Sequence, residues 1–281
     1  MNRKHLLLVV CVLVAVSGCG DKASVENPFF AEWTTPFGVP PFDQIQEEHF
    51  LPAFQRAIAD ERAEVEAIAK NPEPPTFENT LVALDATGEL MNKVSGAFYT
   101  LTGAETNKEI QAIAKEVAPM RSNLRDDILM NPQLFERIKA IYEQREELEL
   151  DEEQLWLLKN TYLDFVNGGA ELADVDKQRM REINTRLSTL GLQFSDNVLA
   201  ETNGYQLFIE DAADLDSLPA KVIAGAAEAA AIAGQGGRWL VTSHRPSIWA
   251  GGGYAGGGER RGPLCEACVV RGGSGDGEGG G

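Results

Sequence analysis

The stretch Asn71-Pro72-Glu73-Pro74-Pro75-Thr76 constrains this chain more than any other. Three prolines in four positions cannot continue a helix, because each lacks an amide donor and its ring clashes with the preceding turn. Before the stretch, Phe50, Phe54, Ile58, Val65 and Ile68 recur at helical spacing; after it, so do Phe77, Leu81, Leu84, Met91, Val94, Phe98 and Leu101. Thr76 offers a hydroxyl that can cap a helix beginning near Phe77. Two long helices joined by a short rigid link are predicted to pack antiparallel and seed the core.

The same reading continues along the chain. Thr106 with Glu109 spells a capping box, followed by a stripe of Ile110, Ile113, Val117, Leu124 and Ile128 with Pro119 as an expected kink. Asn131-Pro132 supplies a cap and first helical residue for Leu134, Phe135, Ile138, Ile141 and Tyr142. Asp151 caps a helix carrying Leu155, Trp156, Leu158, Tyr162 and Phe165, which Gly168-Gly169 ends. Asp174 is expected to cap the next, where Met180, Ile183, Leu187, Leu190, Phe194 and Val198 step by three and four and read as core. The period then changes. Tyr205, Leu207 and Ile209 alternate with polar or outward positions as in a strand, Leu218-Pro219 opens an alanine-rich helix over 220–233, and Arg238 to Thr242 reads as a second strand pairing with the first. The expected fold is mainly α, made of antiparallel helical hairpins and a bundle, with a short β pair near 204–243.

The run from Pro41-Phe42-Asp43 through His49-Phe50-Leu51-Pro52-Ala53-Phe54 to Pro75-Thr76-Phe77-Glu78-Asn79-Thr80 resembles the N-terminal half of the zinc oligopeptidases. That family comprises thimet oligopeptidase, oligopeptidase A and bacterial peptidyl-dipeptidase. Later segments keep the resemblance: Tyr205-x-Leu207-x-Ile209-Glu210-Asp211, Leu218-Pro219, Gly234-x-x-Gly237-x-Trp239 and His244-Arg245-Pro246-Ser247. The resemblance implies hydrolysis of short peptides with zinc as cofactor, in a two-lobed protein whose N-terminal half forms one wall of a narrow channel. In such a family a His-Glu-x-x-His helix grips the metal, its glutamate polarises the bound water, and a downstream glutamate completes the ligand set.

That motif is missing from these 281 residues. The histidines are His5, His49 and His244; none sits in such a motif, so neither a catalytic nor a zinc-ligating residue is assigned, and no zinc is expected to bind this chain. A truncated, catalytically silent peptidase is therefore expected, whose metal-holding half lies elsewhere, either lost or supplied by a separate chain. The alternative is a non-catalytic helical lipoprotein that binds peptides or a partner protein. Apolar surface facing a missing half would leave the chain prone to aggregate. Cys265-Glu266-Ala267-Cys268 has metal or redox spacing but no second pair, and the acidic run from Glu143 to Glu153 reads as a solvated surface.

Asn2-Arg3-Lys4-His5 followed by the apolar run Leu6 to Val16 is too short to span a bilayer and reads as a secretory leader. Val16-Ser17-Gly18-Cys19 resembles a bacterial lipoprotein signal, with residues 1–18 removed and Cys19 acylated. The implied location is the periplasmic side of a bacterial membrane, the outer one preferred, held there by the lipid. A net charge of −18 repels phosphate backbones and argues against nucleic-acid binding. The expected organisation is a tether over 19–40, with Phe29, Phe30, Trp33 and Phe37 docking on the body, then a helical domain over 41–203 and a strand–helix–strand segment over 204–249. Residues 250–281 are glycine-rich, without apolar periodicity, and are expected to be disordered. The resemblance stops abruptly near Ala250, which points to a shifted reading frame. Resequenced genomic DNA read in all three frames beyond that codon is expected to hold a His-Glu-x-x-His codon string out of frame; an in-frame glycine tail running to a natural stop would refute this.

Overall fold

The structure, a computed structural model, describes residues 27–215 and 218–244. It is mainly α, with one antiparallel strand pair. Helix α1 (Glu47–Ala69) precedes the proline link. A π-helical turn, Phe77–Val82, runs into the short α2 (Ala83–Asp85). Then come α3 (Glu89–Ala104), α4 (Lys108–Leu129), α5 (Pro132–Glu143), α6 (Glu152–Asn167) and the long α7 (Asp174–Gly204). Strand β1 (Gln206–Ile209) and β2 (Trp239–Thr242) flank α8 (Ala220–Ile232), pairing Gln206 with Thr242 and Ile209 with Trp239.

The proline link behaves as its chemistry requires. Thr76 and Asn79 cap reciprocally: Asn79 N donates to Thr76 Oγ1 at 3.1 Å and Thr76 N to Asn79 Oδ1 at 2.9 Å. The carbonyls of a proline-rich segment find no helical donors, so side chains supply them. Arg137 of α5, almost wholly buried, donates through Nη1 to Asn71 O at 2.9 Å and Glu73 O at 3.0 Å, and through Nη2 to Asn79 Oδ1 at 2.8 Å. Asn79 Nδ2 donates to Pro74 O at 2.9 Å.

The second helix of the expected hairpin is split. It breaks at Ala86-Thr87-Gly88, where Gly88 takes φ +75° and its amide donates to Glu64 Oε2 at 2.8 Å. A Cβ on Gly88 would lie 3.0 Å from Glu61 Cδ, so α1 presses on this corner and only glycine fits without a shift. Beyond the break α3 runs antiparallel to α1, as expected: its start meets Glu64, and its Phe98 meets Phe50 and Phe54 near the start of α1, with ring centroids 5.1 and 5.3 Å apart. Phe29, Phe50, Phe54, Val94, Phe98, Ile110 and Val117 fill the first core cluster. A second joins the end of α1 to α5 and α6 through Val65, Leu134, Ile138 and Phe165.

Several local expectations meet a different outcome. Asn107, not Thr106, caps α4, its Oδ1 accepting from Ile110 N at 2.8 Å. Ala173 precedes α7 without a capping side chain, and Asp174 is the first helical residue. Helix α4 holds Pro119 within its span, with no break in the helix there. In the tether, Phe29 is buried, Lys93 lies 4.4 Å above the Trp33 ring and Arg56 4.5 Å above that of Phe30. Phe37, however, is fully exposed, at positive φ beside Gly38. Trp156 points outward at 66 % exposure, while its neighbour Leu158 is fully buried.

The helix ends at Asn131, Asp151 and Gly168-Gly169 form as read. Asp151 and Gln154 make a capping box, and the turn after α6 closes with Gly169 N to Val166 O at 3.1 Å and Ala170 N to Phe165 O at 3.0 Å, a Schellman pairing. Because one buried guanidinium donates to two link carbonyls and adds a further donor to the Asn79 amide oxygen, Arg137→Met is expected to lower the urea-unfolding free energy by about 2–3 kcal/mol; a change within about 0.5 kcal/mol would show the link holds itself.

Candidate functional site

Each residue singled out for chemistry occupies a defined place or lies outside the described residues. Cys19, Cys265 and Cys268 fall outside them. His49 sits buried in the first turn of α1, and its Nδ1 accepts from Gln46 N at 3.0 Å, so it is a capping residue. His244 is exposed beyond β2, with Nε2 3.2 Å from Asn203 Oδ1 and Nδ1 3.2 Å from Thr242 Oγ1. Among the described residues no group of three or more His, Cys, Asp or Glu side chains could hold a metal ion. The residues present do not fit a zinc centre of the kind the resemblance implies: each described imidazole is already engaged with its own helix or strand end. Glu143, Glu146, Glu147, Glu149, Glu152 and Glu153 are all exposed.

What the fold does assemble is a polar seam between α4 and α7. Asp127 accepts from Arg62 of α1 at 2.7 Å and from Arg181 of α7 at 2.6 Å. Asn184 Nδ2 donates to Asp126 Oδ1 at 2.7 Å, the Thr185 hydroxyl lies 3.1 Å from Asn123 Oδ1, and Lys115 pairs with Asp196 at 3.0 Å. Polar groups therefore form most of the inner face of α7, with Leu192 packing on the first core cluster, and none of its residues is buried. Of the expected core stripe, Ile183, Leu187, Leu190 and Phe194 are exposed, Leu187 at 58 %, while Met180 and Val198 are half-buried. On an ideal helix this stripe lies roughly 145° round from Arg181, Asn184, Thr185, Ser188 and Leu192. The helical spacing is as read, but the assignment of these positions to the core is not met: periodicity fixes a shared face and does not say whether anything covers it.

Asp126 is the seam's least satisfied member. It is 3 % exposed, its Oδ2 has no hydrogen-bond partner, and it borders a cavity of about 300 Å³ between α4, α6 and α7 with Arg125, Asp164, Asn167 and Asn184. Burial pushes its carboxyl above the ordinary range, against the opposing hydrogen bond from Asn184 and the charge of Arg181. Its position on a helix otherwise read for apolar residues gave no sequence signal. A carboxyl with a raised folded-state pKa favours the fold while protonated and loses that contribution as pH rises through the folded value. Asp126→Asn keeps the acceptor for Asn184 and places an amide where Oδ2 is orphaned. It is expected to be more stable than the parent near about pH 7, with the difference shrinking toward about pH 3; urea midpoints at both pH values check the sign.

No protein-family model matches the sequence. Individual proteins do. Over 226 residues, 79 % of this chain, it is 38 % identical to the dipeptidyl carboxypeptidase of Escherichia coli and 36 % identical to that of Salmonella typhimurium. It is 30 % identical over 213 residues, 76 % of the chain, to oligopeptidase A of Salmonella typhimurium. The match covers 33 % of each of the first two proteins and 31 % of the third, so the chain spans about a third of the length of these relatives. This chain belongs to the dipeptidyl carboxypeptidase and oligopeptidase A family, as a portion of its polypeptide.

Proposed function

We propose that this chain is the scaffold portion of a peptide hydrolase acting on short peptides, forming one wall of a narrow channel. The observation that carries this is the similarity to dipeptidyl carboxypeptidase across most of the chain. The zinc of such an enzyme and the residues that polarise its water belong, on this reading, to polypeptide outside these 281 residues, since those described do not fit a metal centre. The contribution of this chain is then to shape and exclude: a helical wall narrows access so that only extended peptides reach the reacting groups. Purified chain supplied with zinc is expected to leave a quenched oligopeptide uncleaved above background. Chelator-sensitive turnover would refute the reading.

The reading includes a place. The leader pattern ending at Cys19 supports acylation there and attachment to the periplasmic face of a bacterial membrane, preferably the outer. Labelled palmitate is expected to enter the chain in bacteria and to be lost in Cys19→Ala; retention of the label in the variant would remove the anchor. A second reading is a non-catalytic lipoprotein that binds peptides or a partner, favoured by the open apolar stripe on α7. Saturable peptide binding to the purified chain without any cleavage partner would favour that reading over the first.

A further inference from the structure

The arginines that cross the α4–α7 seam reach Asp127 and not its neighbour. Among the described residues, Asp126 accepts only from Asn184, on Oδ1 at 2.7 Å, and its Oδ2 has no partner although the residue is 3 % exposed. Leaving a buried acceptor without a donor costs about 1–3 kcal/mol, more when the group is charged. Buried polar atoms in folded proteins nearly always have a partner.

The orphaned oxygen belongs to a residue that lines the cavity of about 300 Å³ between α4, α6 and α7. Asn184, the apolar side chains of Leu129 and Met180, and the exposed Asp164 and Arg125 line it too. That volume is roughly ten times the share of one water molecule in the liquid. Ser122, Arg125, Leu129 and Asp164 also line an adjoining cavity of about 520 Å³, so an occupant longer than the first cavity has room to extend.

The lining selects its occupant by charge and by hydrogen-bonding type. Two carboxylates stand against the single cation Arg125, which disfavours an anion. A metal ion would need more ligands than two acids, and no group of three ligating side chains exists among the described residues. A water molecule would give Oδ2 a hydrogen bond but leave its charge uncompensated. A protonated amine supplies donor and charge together, in a bond roughly twice as strong as a neutral one. Leu129 and Met180 offer apolar surface to the stem that carries it. We propose that this cavity binds a primary ammonium group on a short aliphatic chain, the ammonium donating to Asp126 Oδ2 and the chain packing on Leu129 and Met180. The site uses none of the groups of the hydrolytic reading and stands or falls apart from it.

The test titrates the purified full chain with n-butylammonium chloride at constant ionic strength, near about pH 7, by calorimetry and by the methyl resonances of its methionines. Saturable binding is expected with a Kd of about 1 mM or tighter. The Met180 methyl should shift, while that of Met120, which packs on the first core cluster, stays in place. Asp126→Asn keeps the acceptor for Asn184 and should weaken binding about tenfold or more, with its urea midpoint confirming the fold. Tetramethylammonium, a cation without an N–H, and n-butanol, a donor without charge, should each bind the parent roughly tenfold more weakly or worse. Nα-acetyl-lysine methylamide separates the sources of such a group: tighter binding than n-butylammonium assigns the site to a lysine side chain, weaker binding to a free amine. No saturable binding, an unchanged affinity in Asp126→Asn, tetramethylammonium binding as tightly as n-butylammonium, or saturation without a shift at Met180 would each overturn the proposal.

Discussion

The guanidinium of Arg137 holds together what the prolines would otherwise leave unsatisfied. A proline-rich link is stiff but presents carbonyls without local donors, and such groups are costly away from water. One buried side chain on α5 answers two backbone carbonyls and the Asn79 amide oxygen at once. The crossing from α1 to α2 is thereby tied to a helix some sixty residues further along the chain. The aromatic contacts among Phe50, Phe54 and Phe98 and the cluster around Val65 and Ile138 then assemble on either side of that tie.

Legibility in the sequence follows the range of the interaction. Caps at Thr76, Asn131 and Asp151 and the glycine closure after α6 were readable because each is decided within four or five residues. The break at Gly88 was not, since it answers to Glu61 and Glu64 on another helix. Asn107 won the α4 cap from Thr106 by one position, a difference propensity cannot resolve because both residue types cap well. Aromatic character alone suggests that Phe37 docks, yet it lies in a turn at positive φ that directs it to solvent. Trp156 fell on the wrong side of its helix because Leu155, Trp156 and Leu158 cannot share one narrow face.

The α4–α7 seam shows what residue type conceals. Asp126, Asp127, Asn123, Arg181 and Asn184 would each pass as ordinary surface in a list, but they form the contact between two long helices. Polar seams specify register through paired hydrogen bonds and charges, at the cost of desolvation that apolar packing avoids. The resulting division puts paired polar groups on the inner face of α7 and exposed apolar side chains on its outer face. The family assignment was carried by the strings around the proline link and by the later strand–helix–strand segment, and comparison bears it out across most of the chain.

The corner at Gly168-Gly169 has a mechanical consequence. A Cβ on Gly168 would stand 2.7 Å from Leu129 Cδ1, so the end of α6 is wedged against the end of α4 just before α7 departs. The same α4 is tied to α7 well beyond the corner, by Arg181 to Asp127 and by Lys115 to Asp196. Bulk added at that glycine would therefore strain a closed loop of three helices, and the polar pairs of the seam would have to yield before α7 could tilt.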